Sequence, residues 1–244
     1  MGLGGLGLLC GLLPLLAGSA AAAGVAKPAV AALDPGALVP YFAAGPLLQA
    51  RARLRSGDAK AAVQLIGDYV AGLQAAADKP VVLEPKVEFL LAVAQLRAAA
   101  GLGAGPERVA LGKRAAQHFD ALATSYPLLA SYHALYGARS YLLAQLPSAA
   151  LERLSKVPSD SVLDCDGRFL RGEALRELGA EARERAIGSY RAYLSACKAS
   201  AQSQRWSAQE HCAELLDAAG RQAEALQLWR RLYIEAAMEN FGAL

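Results

Sequence analysis

A three-residue phrase recurs along this chain and constrains it more than any other feature. An apolar stretch reaches a glycine, and an alanine and an aromatic residue follow at fixed offsets. The clearest copy is Gly220, Ala225, Trp229; looser copies are Gly179, Ala186, Tyr190 and Gly101, Ala115, Phe119. Each reads as a helical hairpin whose glycine ends the first helix and whose alanine lets the second pack closely. Hairpins in series stack into a solenoid, because no single one can bury its apolar face alone.

Composition agrees. Hydrophobic residues make up 55% of the 244 and charged residues 19%, enough apolar material for one large domain or one repeat array. Much of the apolar content is alanine and leucine, strong helix formers. No alternating run is long enough for a convincing strand. The net charge of +3 is too small to argue for nucleic acid. Basic and acidic residues also interleave, as in Glu173, Arg176, Glu177, Glu181, Arg183, Glu184 and Arg185, which makes a solvated helix face rather than a phosphate-binding stripe.

Residues 1–24 differ from the rest. No side-chain charge occurs from Gly2 to Val25, Leu6 to Leu16 is an apolar core broken by Pro14, and Ala17, Gly18, Ser19, Ala20, Ala21 and Ala22 follow. That is the layout of a secretory signal peptide, although no Lys or Arg precedes the core. The alternative is an uncleaved membrane anchor, which needs about 20 apolar residues. A lipid-anchored Cys10 is disfavoured by bulky Leu9 before it. Residues 25–40, with Pro28, Pro35, Gly36 and Pro40, read as linker, and residues 41–244 as the helical repeat domain.

Five hairpins are expected. The first runs from Tyr41 to Arg55, turns at Ser56-Gly57-Asp58 and returns to Ala77, with Asp58 capping the return. The second pairs Glu84–Ala100 with Pro106–Thr124. The third pairs Leu128–Ala144 with Pro147–Ser155, the fourth Leu163–Leu178 with Glu181–Cys197, and the fifth Ala201–Ala219 with Arg221–Ala236. Successive turns at Gly57, Gly101, Gln145, Gly179 and Gly220 lie 44, 44, 34 and 41 residues apart.

These hairpins resemble tetratricopeptide (TPR) repeats, on Ala213, Gly220, Ala225 and Trp229 in the fifth, on Gly172 and Gly179 followed by two extra residues before Ala186 and Tyr190 in the fourth, and on Ala115, Phe119 and Tyr126-Pro127 in the second. The resemblance implies an all-α, right-handed solenoid of about five hairpins that binds a protein partner. A narrower one, carried by the alanine-rich sequence and by Leu228-Trp229-Arg230-Arg231-Leu232-Tyr233-Ile234, is to the N-terminal superhelical region of soluble lytic murein transglycosylases. That family's catalytic glutamate stands in a Glu-Ser context, and no Glu-Ser dipeptide occurs here.

Chemistry-bearing residues are few. Cys165 lies 14 residues before the Gly179 turn and Cys197 lies 18 after it. At 1.5 Å per residue both fall roughly 20–27 Å from the turn on antiparallel helices. Cys165–Cys197 is therefore the candidate disulfide in an oxidising compartment. The alternative is that Cys197 and Cys212 are small buried hydrophobes. His118, His133 and His211 are scattered without a second ligand at metal spacing, and no nucleophile motif, phosphate loop or dinucleotide fingerprint occurs. Neither metal nor cofactor is expected. Tyr132 and Tyr136 are assigned to the core and Tyr141 left open.

By analogy with repeat proteins, the first helix of each hairpin lines any binding face, which nominates Arg139, Tyr141, Arg171, Glu173 and Gln209. The expectation is a non-catalytic, exported, periplasmic scaffold holding a protein partner, with an envelope enzyme or a peptidoglycan-associated complex as candidates. The alternative is a transglycosylase superhelix without its catalytic domain. Leu228, Leu232 and Ile234 near the C-terminus also suggest that something covers the fifth hairpin.

Overall fold

The computed structural model describes residues 45–242, with side chains through Met238. The expected signal peptide, the linker and the first residues of the opening helix lie outside the described residues. Ten α-helices follow: α1 (Gly45–Arg55), α2 (Ala59–Ala75), α3 (Pro85–Ala100), α4 (Pro106–Ser125), α5 (Ala130–Leu143), α6 (Pro147–Leu154), α7 (Asp164–Glu177), α8 (Arg183–Ala196), α9 (Gln202–Ala218) and α10 (Gln222–Gly242). The described residues contain no strand. Consecutive helices pair as five hairpins, and each hairpin packs on the next; α3, α5, α7 and α9 also touch in succession. From α3 to α9 the odd-numbered helices thus form one continuous face of the stack.

The turns show why the hairpins form. Gly57, Gly179 and Gly220 all have φ between 75° and 85°, the left-handed region that glycine enters without a Cβ clash. After Gly57 and Gly220 the chain closes the helix with paired reverse bonds: Asp58 N–H to Arg53 C=O and Arg221 N–H to Leu216 C=O, each at 2.9 Å. Both satisfy carbonyls that the helix end leaves orphaned. Gln145 takes the same position in the third hairpin, with φ 59° and the equivalent bond from Leu146 N–H to Tyr141 C=O. Gly101 differs, since it stays in the right-handed region at the start of the longer loop to Pro106. The two extra residues of the fourth hairpin are taken up by a 3-10 turn at Ala180–Ala182, so Ala186 still reaches the interface, fully buried. Helix starts are set locally: Asp58 Oδ1 accepts from Ala61 N–H at 3.1 Å, while Pro85, Pro106 and Pro147 occupy first-turn positions that need no N–H.

The interior is built from alanines at helix crossings and from larger side chains between layers. Ala92, Ala115, Ala138, Ala174, Ala186 and Ala213 are completely buried, which lets neighbouring backbones approach. Phe119, Leu135, Ile187, Tyr190, Tyr193 and Leu216 fill the volume between them. Where α4 crosses α5, a Cβ on Gly112 would stand 2.9 Å from the Ser140 carbonyl of α5 and from the amide of Ala144 just past its end. Tyr132 and Tyr136 are half-buried and pack edge-on against each other, 5.9 Å between centroids.

Candidate binding face

The odd-helix face is most structured where α7, α8 and α9 meet. Glu173 projects from α7 and accepts two hydrogen bonds on one oxygen. Tyr190 Oη of α8 donates to Glu173 Oε1 at 2.6 Å, and His211 Nδ1 of α9 donates to the same atom at 2.7 Å. Arg176, one turn along α7, donates to Glu173 Oε2 at 3.2 Å. Gly172 makes the arrangement possible by leaving room for the Tyr190 ring. Burial pushes the Glu173 carboxyl up, but the His211 and Tyr190 hydrogen bonds and the charges of His211 and Arg176 outweigh it, so it titrates below its ordinary value. Burial, then the Glu173 charge, pushes the Tyr190 phenol up. The set is a carboxylate with its donors, and it ties α7, α8 and α9 together across the repeats.

A second tie lies nearer the start of α7. Tyr193 Oη donates to Gln204 Oε1 at 3.2 Å, and Gln204 Nε2 donates to Asp166 Oδ1 at 3.1 Å, again joining α8, α9 and α7. Cys165 and Cys197 are disulfide-bonded beside it, with Cα atoms 5.6 Å apart, and Arg205 Nη1 donates to the Cys197 carbonyl at 3.2 Å. Cys212 is the free cysteine of the described residues and is buried; burial pushes its thiol up, leaving little thiolate.

The nominated residues occupy different situations. Glu173 is in the tie. Tyr141 donates to Asp120 at 2.6 Å, and Asp120 also pairs with Arg153 at 2.9 Å, so Tyr141 joins α5 to α4 and, through Asp120, to α6. Gln209 is buried and donates to Glu235 of α10 at 3.2 Å. Arg171 is exposed and reaches the Leu154 carbonyl at 3.4 Å. Arg139 is half-buried and has no ion pair among the described residues. The structure therefore gathers Glu173 with Tyr190, His211 and Arg176, and leaves the other nominees apart.

Sequence reasoning missed the residues that α9 turns outward. Glu210, Glu214 and Asp217 are exposed, recur at i, i+4 and i+7 along one side of the helix, and have no cationic partner among the described residues, whereas Glu173, Glu224 and Glu235 are all paired. The spacing was visible; that this side stays open was not. No group of His, Cys, Asp and Glu suited to hold a metal ion occurs among the described residues, and no described helix is long and apolar enough to cross a membrane.

No family model and no curated protein matches this chain. Solved structures do. The nearly identical TPR-like repeats of a Podosopora anserina protein described as a kinesin light chain are 18% identical, with a TM-score of 0.54 over 85% of this chain and 98% of that one. The MamA RS-1 ArsTM double mutant is 14% identical, with a TM-score of 0.59 over 80% and 94%. MamA MSR-1 C2 is 17% identical, with a TM-score of 0.57 over 80% and 96%. At these identities the likeness is one of fold. The chain is a TPR-like helical-repeat solenoid.

Proposed function

We propose that this protein is a non-catalytic helical-repeat scaffold, exported to the bacterial cell envelope, that holds a protein partner along its odd-helix face. The observation carrying this reading is the pairing of a rigid support with an open charged surface. The Glu173–Tyr190–His211 tie and the Asp166–Gln204–Tyr193 tie clamp α9 against α7 and α8, while Glu210, Glu214 and Asp217 of the same helix face outward without counter-charge. A preorganised surface of this kind binds without loop-ordering cost, and its carboxylates favour a partner segment carrying Lys or Arg.

Support for the non-catalytic part is that half-buried Glu173 and His211 and buried Tyr190, a set with acid–base potential, satisfy one another in packing. Export is supported by the apolar core and small-residue tail of residues 1–24 and by a cysteine pair at disulfide distance, which suits an oxidising compartment.

The test is an affinity capture from an envelope fraction with the protein as bait, run beside the triple variant Glu210→Lys, Glu214→Lys, Asp217→Lys and with peptidoglycan sacculi as a second target. A protein partner captured by the parent and lost by the triple variant supports the proposal. Retention on sacculi, or co-purification of a lysozyme-like enzyme, would favour the transglycosylase resemblance. Cleared zones in a peptidoglycan zymogram would overturn the non-catalytic reading.

A further inference from the structure

One cavity within the stack carries opposite charges that the protein leaves unpaired. It lies on the turn edge, where the α3–α4 loop, the start of α4, the α5–α6 turn and the end of α7 come together, and has a volume of about 340 Å³. Val109, Leu142 and Pro147 supply apolar wall, and Arg108 and Glu177 are the charged residues of the lining. Arg108 stands in the first turn of α4, and Glu177 is the last residue of α7.

We infer that this cavity binds a small zwitterion of about dipeptide size, with its carboxylate on Arg108, its ammonium on Glu177 and its peptide group on Gln145. Three observations point to that ligand.

The first is charge. Arg108 is half-buried and Glu177 exposed, and neither has an ion pair among the described residues. The Arg108 charge is close enough to act on the Glu177 carboxyl. Desolvation, with the Glu173 charge, nevertheless outweighs the pulls of Arg176 and Arg108 and pushes that carboxyl up. A carboxylate short of positive charge and a guanidinium with free donors, on two walls of one cavity, are satisfied together by a molecule carrying both charges.

The second is Gln145, which also lines the cavity. It is the non-glycine residue of the described residues with positive φ, at 59°, where Gly57, Gly179 and Gly220 serve the other turns. Keeping a side chain there costs backbone strain, and strain of this kind collects at binding sites. Its carboxamide has no hydrogen bond among the described residues and offers both a donor and an acceptor, which match the C=O and N–H of a peptide group.

The third is size. The volume falls at the small end of ligand cavities, and Val109, Leu142 and Pro147 give an apolar side chain a surface to cover. The site belongs to hairpins two to four, away from Glu210, Glu214 and Asp217, so the inference is independent of the partner-binding reading of α9.

Chemical-shift titration of the full chain with leucyl-alanine tests this. The expected result is saturable binding with a Kd of about 1 mM or tighter, the affinity that a ligand of about 14 non-hydrogen atoms reaches at ordinary efficiency. N-acetyl-leucyl-alanine and leucyl-alanine amide each lack one charge and should bind at least about tenfold more weakly. Arg108→Gln and Glu177→Gln should weaken the parent peptide as much while leaving the melting curve unchanged. Gln145→Gly should melt higher yet bind more weakly, a split that a merely structural residue would not give. No saturation at about ten times that concentration, blocked peptides that bind as well as the zwitterion, or binding that survives both charge-removing variants would overturn the inference.

Discussion

The ring of Tyr190 occupies the space that a β-carbon on Gly172 would need. A Cβ built there stands 2.6 Å from Tyr190 Cε1 and 2.7 Å from Cδ1. Absence of one side chain on α7 thereby lets a tyrosine of α8 lie flat against it and deliver its hydroxyl to Glu173. Gly172→Ala should destabilise the protein by about 1–3 kcal/mol, the usual cost of overpacking. Thermal melting would show it, and a Tm equal to the parent's would mean that the ring moves freely. Tyr190→Phe, which keeps the ring and removes only the hydroxyl, should cost about 1–2 kcal/mol through loss of a charge-assisted bond.

Acid should loosen the α7–α9 connection through the same carboxylate. Glu173 titrates below its ordinary value in the folded protein, so its contribution to stability is fully present above the unfolded-state pKa of about 4.3 and is lost as pH falls through the lower folded value. Urea midpoints measured from pH 6 to pH 3 should decline, and Glu173→Gln should flatten that decline. An identical slope in parent and variant would assign acid sensitivity to other carboxylates.

Reduction should weaken the fourth hairpin. The Cys165–Cys197 bond closes a 32-residue separation between the start of α7 and the end of α8, and loop-closure entropy assigns such a bond roughly 3–4 kcal/mol. The double variant Cys165→Ser, Cys197→Ser should therefore melt several degrees lower. Dithiothreitol should lower the parent's melting temperature and leave the double variant's unchanged.

The turn at Gln145 offers a change in the opposite direction. Its φ of 59° is the conformation that Gly57 and Gly220 supply without strain, and a non-glycine residue there costs roughly 1 kcal/mol. Gln145→Gly should raise stability by up to about that amount. Gly220→Ala at the equivalent turn should lower it by a similar amount, and calorimetry of the two variants side by side checks the sign.

Much of this architecture was legible in the residues themselves, because it rests on local chemistry. Glycines at positive φ, an Asp cap before α2 and prolines at three helix starts act within a few residues of where they stand, so turn positions and the hairpin count could be read directly. The disulfide partners could be proposed for the same reason: helix rise alone puts Cys165 and Cys197 at comparable heights. What required tertiary structure was every relationship between helices from different hairpins. Glu173 and His211 are 38 residues apart, and no periodicity says that α9 will set an imidazole against that one carboxylate. Gln209 and Glu210 are chain neighbours, yet a 100° step around α9 sends the first inward to Glu235 and the second outward to solvent. Repeat spacing determines that a helix is amphipathic. Which of its polar residues stay open is decided only by the angle at which the next helix docks, and that angle comes from the packing of alanines and rings across the whole stack.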